Sequence, residues 1–343
     1  MHKTFQDYGK EWLDTFVVAI SVAMAFRAYF FEPFNIPTGS MQPTLYGNHS
    51  EKCAEPGVWQ TTPLKWLNWM FSGRDWKEFK APFDGNVYLT DRGDGRYDYC
   101  IVSETGRQGE TMSLPTDTLT ALDIGMMPAW ASHPDLLETP NGRSRIICWV
   151  GPSDDGVRPR IEPVKVAAGK KLWSGYDTTG DFIFVNRWRW NFRKPARGEV
   201  MVFSTTGIDG KTVKTSINGK SVDIHHKPPD GTHYIKRLTA LPGETVRIEA
   251  PDVYIDGRKI DPIKPAKGER GEETPFPRSG DASWMTAQGG VAKLGEDEYF
   301  ACGDNSASSS DSRYWGPVPG ENLKGTGSFV FWPIINPRWG IIK

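Results

Sequence analysis

The stretch that follows an apolar N-terminal segment constrains the fold most. Residues 31–45 (FEPFNIPTGSMQPTL) contain three prolines and a glycine. Proline removes a backbone donor and clashes with the preceding turn, so this stretch cannot be helical. We predict an extended, kinked backbone in which Gly39 permits a turn just before Ser40. A hydroxyl on such a stiff loop can act as a nucleophile, although small polar residues are also ordinary in turns.

The apolar segment itself covers residues 12–31 (WLDTFVVAISVAMAFRAYFF). About twenty helical residues span about 30 Å, the thickness of the hydrocarbon layer of a membrane. Lysines precede the segment, and no Lys or Arg follows Arg27 until Lys52, so the positive-inside rule places the N-terminus in the cytoplasm. We predict a cytoplasmic tail over residues 1–11 and a single transmembrane helix over residues 12–31.

Two other interpretations of this segment exist. The uninterrupted run at residues 16–26, with Ala-Met-Ala at 23–25, resembles a cleavable signal peptide. Apolar and aromatic residues continue past that site to the predicted membrane edge, which favours an uncleaved anchor. A buried helix of a soluble protein is the third interpretation, and the bias of the flanking charge disfavours it.

Composition favours a β-rich body and excludes some functions. The chain has 343 residues, of which 38% are hydrophobic, enough for one elaborate domain or two. A formal net charge of −1 gives no support for binding nucleic acid. With 36 glycines and 26 prolines and few helical patterns, a turn-rich β protein is indicated. The cysteines, Cys53, Cys100, Cys148 and Cys302, form no CxxC pair, so their disulfide state stays open.

Short apolar runs between Gly, Pro and Asp turns indicate strands in much of the chain. They cover residues 83–104, 143–151, 181–185, 197–203, 233–241, 246–248, 253–255, 298–302 and 327–332. We therefore predict a mostly β fold, in which the transmembrane helix is followed by an antiparallel β-rich domain formed by residues 32–46 and 180–343. Residues 47–179 form a large insertion, also β-rich, in which the Pro/Gly-rich residues 152–170 are a connector.

Aromatic residues are concentrated within the insertion. Residues 57–80 contain four tryptophans and two phenylalanines interleaved with Lys and Arg, and residues 63–71 have the pattern of a short helix. One interpretation is an interfacial segment that dips its aromatic rings among lipid headgroups. The other is an aromatic core beneath a loop, and the general dominance of aromatic residues in cores favours it.

A serine nucleophile needs a base beside it, and the histidines do not supply an obvious one. None of the six lies in a recognisable catalytic motif. His225 and His226, with Asp223, would permit a metal site, but their polar, proline-flanked segment is more typical of a solvated loop, and we predict no metal.

Lys236 is a stronger candidate for the base. It interrupts an apolar strand, where an outward-facing lysine would be ordinary. At a pKa of about 10.4, a lysine is neutral only about once in a few thousand molecules at pH 7. Burial that lowers the pKa by about 3 units costs about 4 kcal/mol and would make the amine a usable general base.

Four segments together resemble the successive conserved boxes of bacterial type I signal peptidases. They are residues 38–45 (TGSMQPTL), 197–203 (RGEVMVF), 234–244 (YIKRLTALPGE) and 303–316 (GDNSASSSDSRYWG). Their order, their distance from the apolar segment and their chemistry agree with that family. The resemblance covers the predicted anchor and most of residues 180–320, and it leaves residues 46–179 unmatched.

The resemblance implies a Ser-Lys dyad without histidine. Ser40 would attack the scissile carbonyl, and neutral Lys236 would take its proton and later activate the deacylating water. The oxyanion hole would consist of the Ser40 N–H and the Thr38 hydroxyl, where the family often has serine.

The last box supplies supporting residues by the same resemblance. Ser309 matches the serine that hydrogen-bonds the lysine amine, and Asp311 and Arg313 match an ion pair that supports the loop. Residues 306–308 (SAS) replace the family's usual Arg-Asp-Asn, so Ser308 or Ser310 could do the work of Ser309. Arg237 would be structural.

The family cleaves secreted preproteins with small residues at positions −1 and −3, bound as an extended strand. Five residues match its pocket-lining positions, and plain core packing is the alternative for each: Ile36, Met41, Leu45, Tyr234 and Ile235. The resemblance implies a single-pass protein of the bacterial inner membrane, in contact with lipid, with its catalytic domain outside the cytoplasm and with no cofactor. The oligomeric state stays open.

Two other functions compete with this one. A membrane-tethered, Trp-rich β-domain could bind peptide, glycan or lipid without catalysis, which the aromatic stretch and the insertion motivate. A self-cleaving Ser-Lys protease of related fold would need an internal scissile site, and the sequence shows no clear one.

Overall fold

The computed structural model describes residues 5–60, 63–124, 128–131, 138–139, 142–151, 160–217, 220–249, 252–260, 284–287 and 289–342. Residues 1–4 of the predicted tail and residues 152–159 of the predicted connector lie outside this part of the chain.

The described helices are few and mostly short. They are α1 (Phe5–Tyr29), α2 (Leu64–Ser72), α3 (Arg189–Phe192), α4 (Trp284–Ala287) and α5 (Ser312–Trp315), with 3-10 turns at Gly39–Met41, Val58–Gln60, Thr116–Ala121, Ser306–Ser308 and Gly320–Asn322. Helix α1 begins earlier than the predicted segment and ends before Phe31, which already belongs to a strand. Within the described residues, no helix combines the length and apolar character that a membrane crossing requires.

Strands make up most of the rest. In the first half of the chain they are β1 (Phe31–Asn35), β2 (His49–Lys52), β3 (Arg74–Lys80), β4 (Gly85–Asp91), β5 (Arg96–Val102), β6 (Met112–Pro115), β7 (Pro128–Ala131), β8 (Glu138–Thr139), β9 (Gly142–Arg143), β10 (Arg145–Gly151), β11 (Arg160–Pro163), β12 (Lys165–Val166) and β13 (Lys171–Thr178). The predicted connector therefore contains two strands, because Arg160–Pro163 continues the ladder of β10.

The second half continues with β14 (Phe182–Asn186), β15 (Val200–Ser204), β16 (Lys211–Ile217), β17 (Lys220–His226), β18 (His233–Ala240), β19 (Thr245–Glu249), β20 (Asp252–Ile255), β21 (Arg258–Ile260), β22 (Val291–Lys293), β23 (Glu298–Cys302), β24 (Val318–Pro319), β25 (Leu323–Trp332) and β26 (Gly340–Ile341). Every pairing between described strands is antiparallel. The prediction of a mostly β, antiparallel protein is confirmed.

The main sheet joins the start of the chain to its end. Its strand order is β1-β14-β25-β15-β18-β23-β24, and β26 pairs with β25. Strand β1 thus brings the proline-rich stretch into the sheet that contains β18. Alternate residues of β14 and all five residues of β15 are buried, which agrees with their apolar composition.

The region between β1 and β14 forms sheets of its own. The larger has the order β11-β10-β4-β5-β6, with β12 on β4 and β7 on β10, and a smaller one has the order β2-β13-β3. A core of fifteen buried residues, including Trp173, Tyr99 and Leu114, lies between them. The predicted strands at residues 83–104 and 143–151 are present here.

Two further sequence expectations need correction. Asp223, His225 and His226 do not lie in a loop, because they belong to β17, which pairs along its length with β16. Of the aromatic residues expected to form a core in residues 57–80, Phe79 does belong to the core of the inserted sheets, but those of α2 do not, because none of its residues is buried. The four cysteines, whose state the sequence left open, are free thiols.

Candidate active site

Ser40 lies in the 3-10 turn Gly39–Met41, which three residues separate from the end of β1. The prediction of an extended backbone that turns at Gly39 therefore agrees with the structure. Ser40 is only 8% exposed. Asn305 holds this turn from the opposite side: its backbone N–H donates to the Ser40 carbonyl at 3.1 Å, and its Nδ2 donates to the Gly39 carbonyl at 3.1 Å.

Lys236 extends from β18 to the Ser40 hydroxyl. The Lys236 Nζ donates a hydrogen bond to Ser40 Oγ at 2.7 Å, and it lies 5.1 Å from the centre of the Tyr234 ring. The residue is 4% exposed, and no ion pair of Lys236 occurs within the described residues. Burial lowers the pKa of Lys236 to about 8, an effect that the charge of Asp311 partly opposes.

Arg237, the next residue of β18, is held in a different way. Its Nε and Nη2 donate to the two carboxylate oxygens of Asp304 at 2.7 and 2.6 Å, and its Nη1 donates to the Gly198 carbonyl at 2.7 Å. Thr44 joins the group, since its Oγ1 donates to Asp304 at 2.5 Å and accepts from Arg237 at 3.0 Å. These bonds join the end of the Ser40 segment to the strand that contains Lys236.

A second buried ion pair lies in the last box. Arg313 donates two hydrogen bonds of 2.6 Å to Asp311, and both side chains are at most 1% exposed. The second Asp311 oxygen also accepts from the backbone N–H of Gly303 at 2.9 Å. The backbone of Gly303 is close-packed, because a Cβ there would lie 2.2 Å from Ser309 Oγ and 2.5 Å from the Ser40 carbonyl oxygen.

Ser309 does not make the contact expected from the resemblance. Its Oγ is buried and has no hydrogen-bond partner within the described residues, so it does not bond Lys236 here. Of the three serines considered for this role, Ser308 and Ser310 are exposed, whereas Ser309 is buried and lies against Gly303 beside the Ser40 carbonyl. Its burial beside the nucleophile turn favours Ser309 over Ser308 and Ser310 as the residue that orients Lys236, and that role stays a prediction.

Thr38 is exposed at the start of the Ser40 turn. Three glycines pack closely against the backbone of residues 36–38. A Cβ on Gly180 would lie 2.0 Å from the Ile36 carbonyl oxygen, one on Gly95 1.9 Å from the Pro37 oxygen, and one on Gly47 2.3 Å from the Thr38 carbonyl carbon. Gly95 comes from the turn between β4 and β5, so the inserted region touches the nucleophile loop.

The predicted pocket residues divide into two groups. Ile36, Met41 and Leu45 are at most 2% exposed and belong to one core cluster, as the core-packing alternative expects, and a role in lining a pocket stays a prediction. Tyr234 and Ile235 are half-buried at the start of β18, beside Lys236.

Sequence reasoning missed the residues that hold the nucleophile turn. Asn305 and Asp304 stand in the quoted GDN motif, which was the available signal, and Thr44 stands in the first box. The contact of Gly95 with Pro37 had no sequence signal, because it joins the insertion to a distant loop.

Comparisons with known proteins show the family of the chain. A family model described as signal peptidase, peptidase S26, matches residues 9–51 and 172–332, which is more than half of the chain. A probable signal peptidase I-2 of Synechocystis sp. is 30% identical over 47% of this chain and 59% of its own length. Signal peptidase I S of Bacillus subtilis is 36% identical over 32% of this chain and 57% of its own length. The chain thus spans less than two thirds of these curated relatives.

A solved structure is also similar in sequence. The crystal structure of a signal peptidase I from Enterococcus faecalis is 25% identical and is matched over 97% of its chain and 39% of this one, with a TM-score of 0.28, which is too low to support an argument about the fold. The family match leaves residues 52–171 uncovered, and these contain most of the inserted sheets. On the match to residues 9–51 and 172–332, the chain belongs to the signal peptidase family, peptidase S26.

Proposed function

We propose that this protein is a membrane-anchored serine endopeptidase that removes N-terminal signal peptides from secreted preproteins. The observation that carries the proposal is the contact of 2.7 Å between Lys236 Nζ and Ser40 Oγ in buried surroundings. A nucleophile in hydrogen-bond reach of a base is the arrangement that acyl transfer needs.

The acylation step follows from the state of the amine. With a pKa of about 8, about one Lys236 in ten is neutral at pH 7. The neutral Nζ accepts the proton of the Ser40 hydroxyl as Oγ forms a bond to the scissile carbonyl carbon. When the C–N bond of the tetrahedral intermediate breaks, the Lys236 ammonium donates that proton to the departing amine. The product is an ester between Ser40 and the signal peptide.

Deacylation uses the same amine a second time. Lys236 accepts a proton from a water molecule whose oxygen attacks the ester, and the proton returns to Ser40 Oγ as the ester bond breaks. Negative charge on the carbonyl oxygen is stabilised by the Ser40 N–H and the Thr38 hydroxyl. The hydrogen bonds from Asn305 to the Ser40 and Gly39 carbonyls support this role, since they fix the backbone of the turn.

An open strand edge beside the dyad suits an extended peptide. Strand β18 pairs with β15 over residues 233–237, whereas β23 pairs with it from Arg237 to Ala240. Among the described strands, none covers the other edge of Tyr234 and Ile235. A preprotein segment can pair there, with Tyr234 and Ile235 limiting the residues at −1 and −3 to small ones.

Attachment to the bacterial inner membrane through α1 completes the proposal. Eight large apolar residues of α1 between Trp12 and Met24 are exposed, from 55% for Val17 and Ile20 to 66% for Trp12 and Met24, so the described chain does not cover them. Contact with lipid would cover these residues, which supports attachment through α1. The catalytic domain would then lie outside the cytoplasm, close to the membrane.

Replacement of either dyad residue tests the proposal. Ser40→Ala and Lys236→Ala should each reduce cleavage of a preprotein in detergent by about 10³-fold or more, while both variants keep a cooperative thermal unfolding transition. Lys214→Ala, which removes an exposed lysine from β16, should leave the rate unchanged. The wild-type rate should rise with pH towards about 8, as Lys236 loses its proton. Full activity of Lys236→Ala would exclude the dyad.

A further inference from the structure

Helix α2 presents its apolar side outwards and its polar side to the protein. At 3.6 residues per turn, Lys65, Asn68 and Ser72 share one side, and Trp66, Leu67 and Met70 lie opposite. The exposed fractions of the latter three are 77%, 46% and 47%. An ordinary surface helix has the reverse arrangement, with its apolar stripe against the core.

The polar side is fully used in attaching the helix. Lys65 Nζ forms an ion pair of 2.7 Å with Asp75, Asn68 Nδ2 donates to the Arg74 carbonyl at 3.2 Å, and Ser72 Oγ accepts from the Arg74 backbone N–H at 3.3 Å. The outward orientation of Trp66 and Met70 is therefore built into the structure. Exposed apolar surface of this kind marks a binding site.

Aromatic rings connect α2 to the point where α1 ends. The chain of contacts has ring-centre distances of 5.7, 5.2, 6.1, 4.2 and 6.4 Å and passes in order through Trp69, Trp332, Phe182, Phe331, Phe184 and Phe31. All the rings from Trp332 to Phe31 are half-buried. Trp332 Nε1 also donates to the Met70 carbonyl at 2.7 Å, which fixes α2 to the end of this row.

This continuity identifies the partner. Phe31 is separated from the end of α1 by one residue, so an aromatic surface extends from the exit of the anchor to α2. Tryptophan is enriched where protein meets the boundary between headgroups and acyl chains, because its ring is apolar and its N–H is polar. We propose that α2 is an interfacial helix that inserts Trp66, Leu67 and Met70 into the lipid bilayer. The inference rests on the proposed membrane attachment through α1.

A second helix at the bilayer would fix the orientation of the domain. One anchor leaves the catalytic body free to rotate about the end of α1, whereas a contact at α2 restricts that rotation. The open edge at Tyr234 and Ile235 would then keep a constant position relative to a substrate whose signal peptide lies in the same bilayer.

A lipid-contact measurement on the full chain tests the proposal. In a Cys53→Ser background, Trp66→Cys is labelled with an environment-sensitive nitrobenzoxadiazole dye and reconstituted in phosphatidylethanolamine–phosphatidylglycerol vesicles. Lipids with a nitroxide near the headgroup end of the acyl chain should quench the dye several-fold more strongly than at Val291→Cys, an exposed apolar position on β22. Equal quenching at the two positions overturns the proposal.

Contact of α2 with a second copy of the chain, or a failure of the α1 anchor, would each give a different result. A dye that is insensitive to nitroxide lipid but changes emission with protein concentration in detergent indicates a second copy of the chain, and overturns the proposal. A chain that does not float with vesicles contradicts the anchor. A chain that floats but whose dye at position 66 is unquenched contradicts only the role of α2. None of these readouts requires peptidase activity.

A kinetic comparison supplies an independent readout. The double variant Trp66→Ser/Met70→Ser should lower the cleavage rate of a preprotein in vesicles several-fold and leave cleavage of a soluble peptide in detergent unchanged. Val291→Ser should change neither rate. An equal loss on both substrates would show that α2 acts through the fold rather than through lipid, and would overturn the proposal.

Discussion

Lys236 and Arg237 are adjacent buried cations on opposite sides of β18, and they differ in their partners. Arg237 has its guanidinium bound by both oxygens of Asp304, by the Gly198 carbonyl and by Thr44. Lys236 faces Ser40 Oγ at 2.7 Å and has burial as the main influence on its pKa. Both residues are at most 4% exposed, so depth does not distinguish them.

The comparison shows which of the two buried cations can lose its proton. A guanidinium cannot lose its proton in a protein, so a buried arginine must be paired. An amine left without a close carboxylate partner becomes neutral more easily as it is buried, which is what a base requires. The second carboxylate of the site, Asp311, is occupied by Arg313 and therefore does not pair with Lys236.

Lys236→Arg should have the largest effect, because it removes the difference between the two residues and places a permanent cation on the Ser40 side of the strand. We expect loss of at least about 10³-fold in the cleavage rate, since the base is removed although the charge is kept. The measurement is initial rates on a preprotein in detergent, with thermal unfolding as the control for folding. A variant with more than a tenth of wild-type activity would contradict a role for the neutral amine.

Arg237→Met tests the other side of the strand. It leaves Asp304 buried without its cation, and we expect a loss of about 3–5 kcal/mol in the free energy of unfolding. The matched control is Arg247→Met, which removes an arginine from an exposed pair with Glu249 and should cost less than about 1 kcal/mol. Denaturant titration measures both. Equal costs for the two variants would mean that the buried pair contributes no more than a surface one.

Local chemistry predicted the backbone around the site: prolines around Gly39 exclude a helix and leave a turn at Ser40, and an apolar run around Lys236 predicts a strand. Burial of the lysine was one of two alternatives, and the resemblance to type I signal peptidases was what paired it with Ser40. The two hydrogen bonds from Asn305 to the nucleophile turn could not be derived in this way, because they join residues that are far apart in the chain and depend on how the 3-10 turn at Ser306–Ser308 packs against the one at Gly39–Met41.

The failures outside the site have a common physical cause. A sequence pattern shows that one side of a helix is apolar but not which side faces the body, so the tryptophans of residues 57–80 were assigned to a core. Residues 211–226 were assigned in part to a loop because their histidines are polar, although alternating Val, Thr and Ile can pair as a hairpin without deep burial.

The smallest expected effect concerns the stability cost of the buried amine. A change in pKa from the ordinary 10.5 to about 8 corresponds to roughly 3 kcal/mol against burying the ammonium form. Below pH 8 both the folded and the unfolded chain carry that proton, so Lys236→Met should be more stable than wild type by up to roughly 3 kcal/mol.

The same difference should depend on pH in one direction. Between pH 8 and 10.5 the folded wild type has released the proton of Lys236 while the unfolded chain keeps it, so wild-type stability rises relative to Lys236→Met and the gap closes. Denaturant titrations of both proteins from pH 6 to about 10.5 measure the gap, with Lys214→Met as the control for loss of an exposed lysine. A gap that stays constant across this range would mean that the folded protein does not disfavour the charged amine, and the contrast between Lys236 and Arg237 would then have no electrostatic basis.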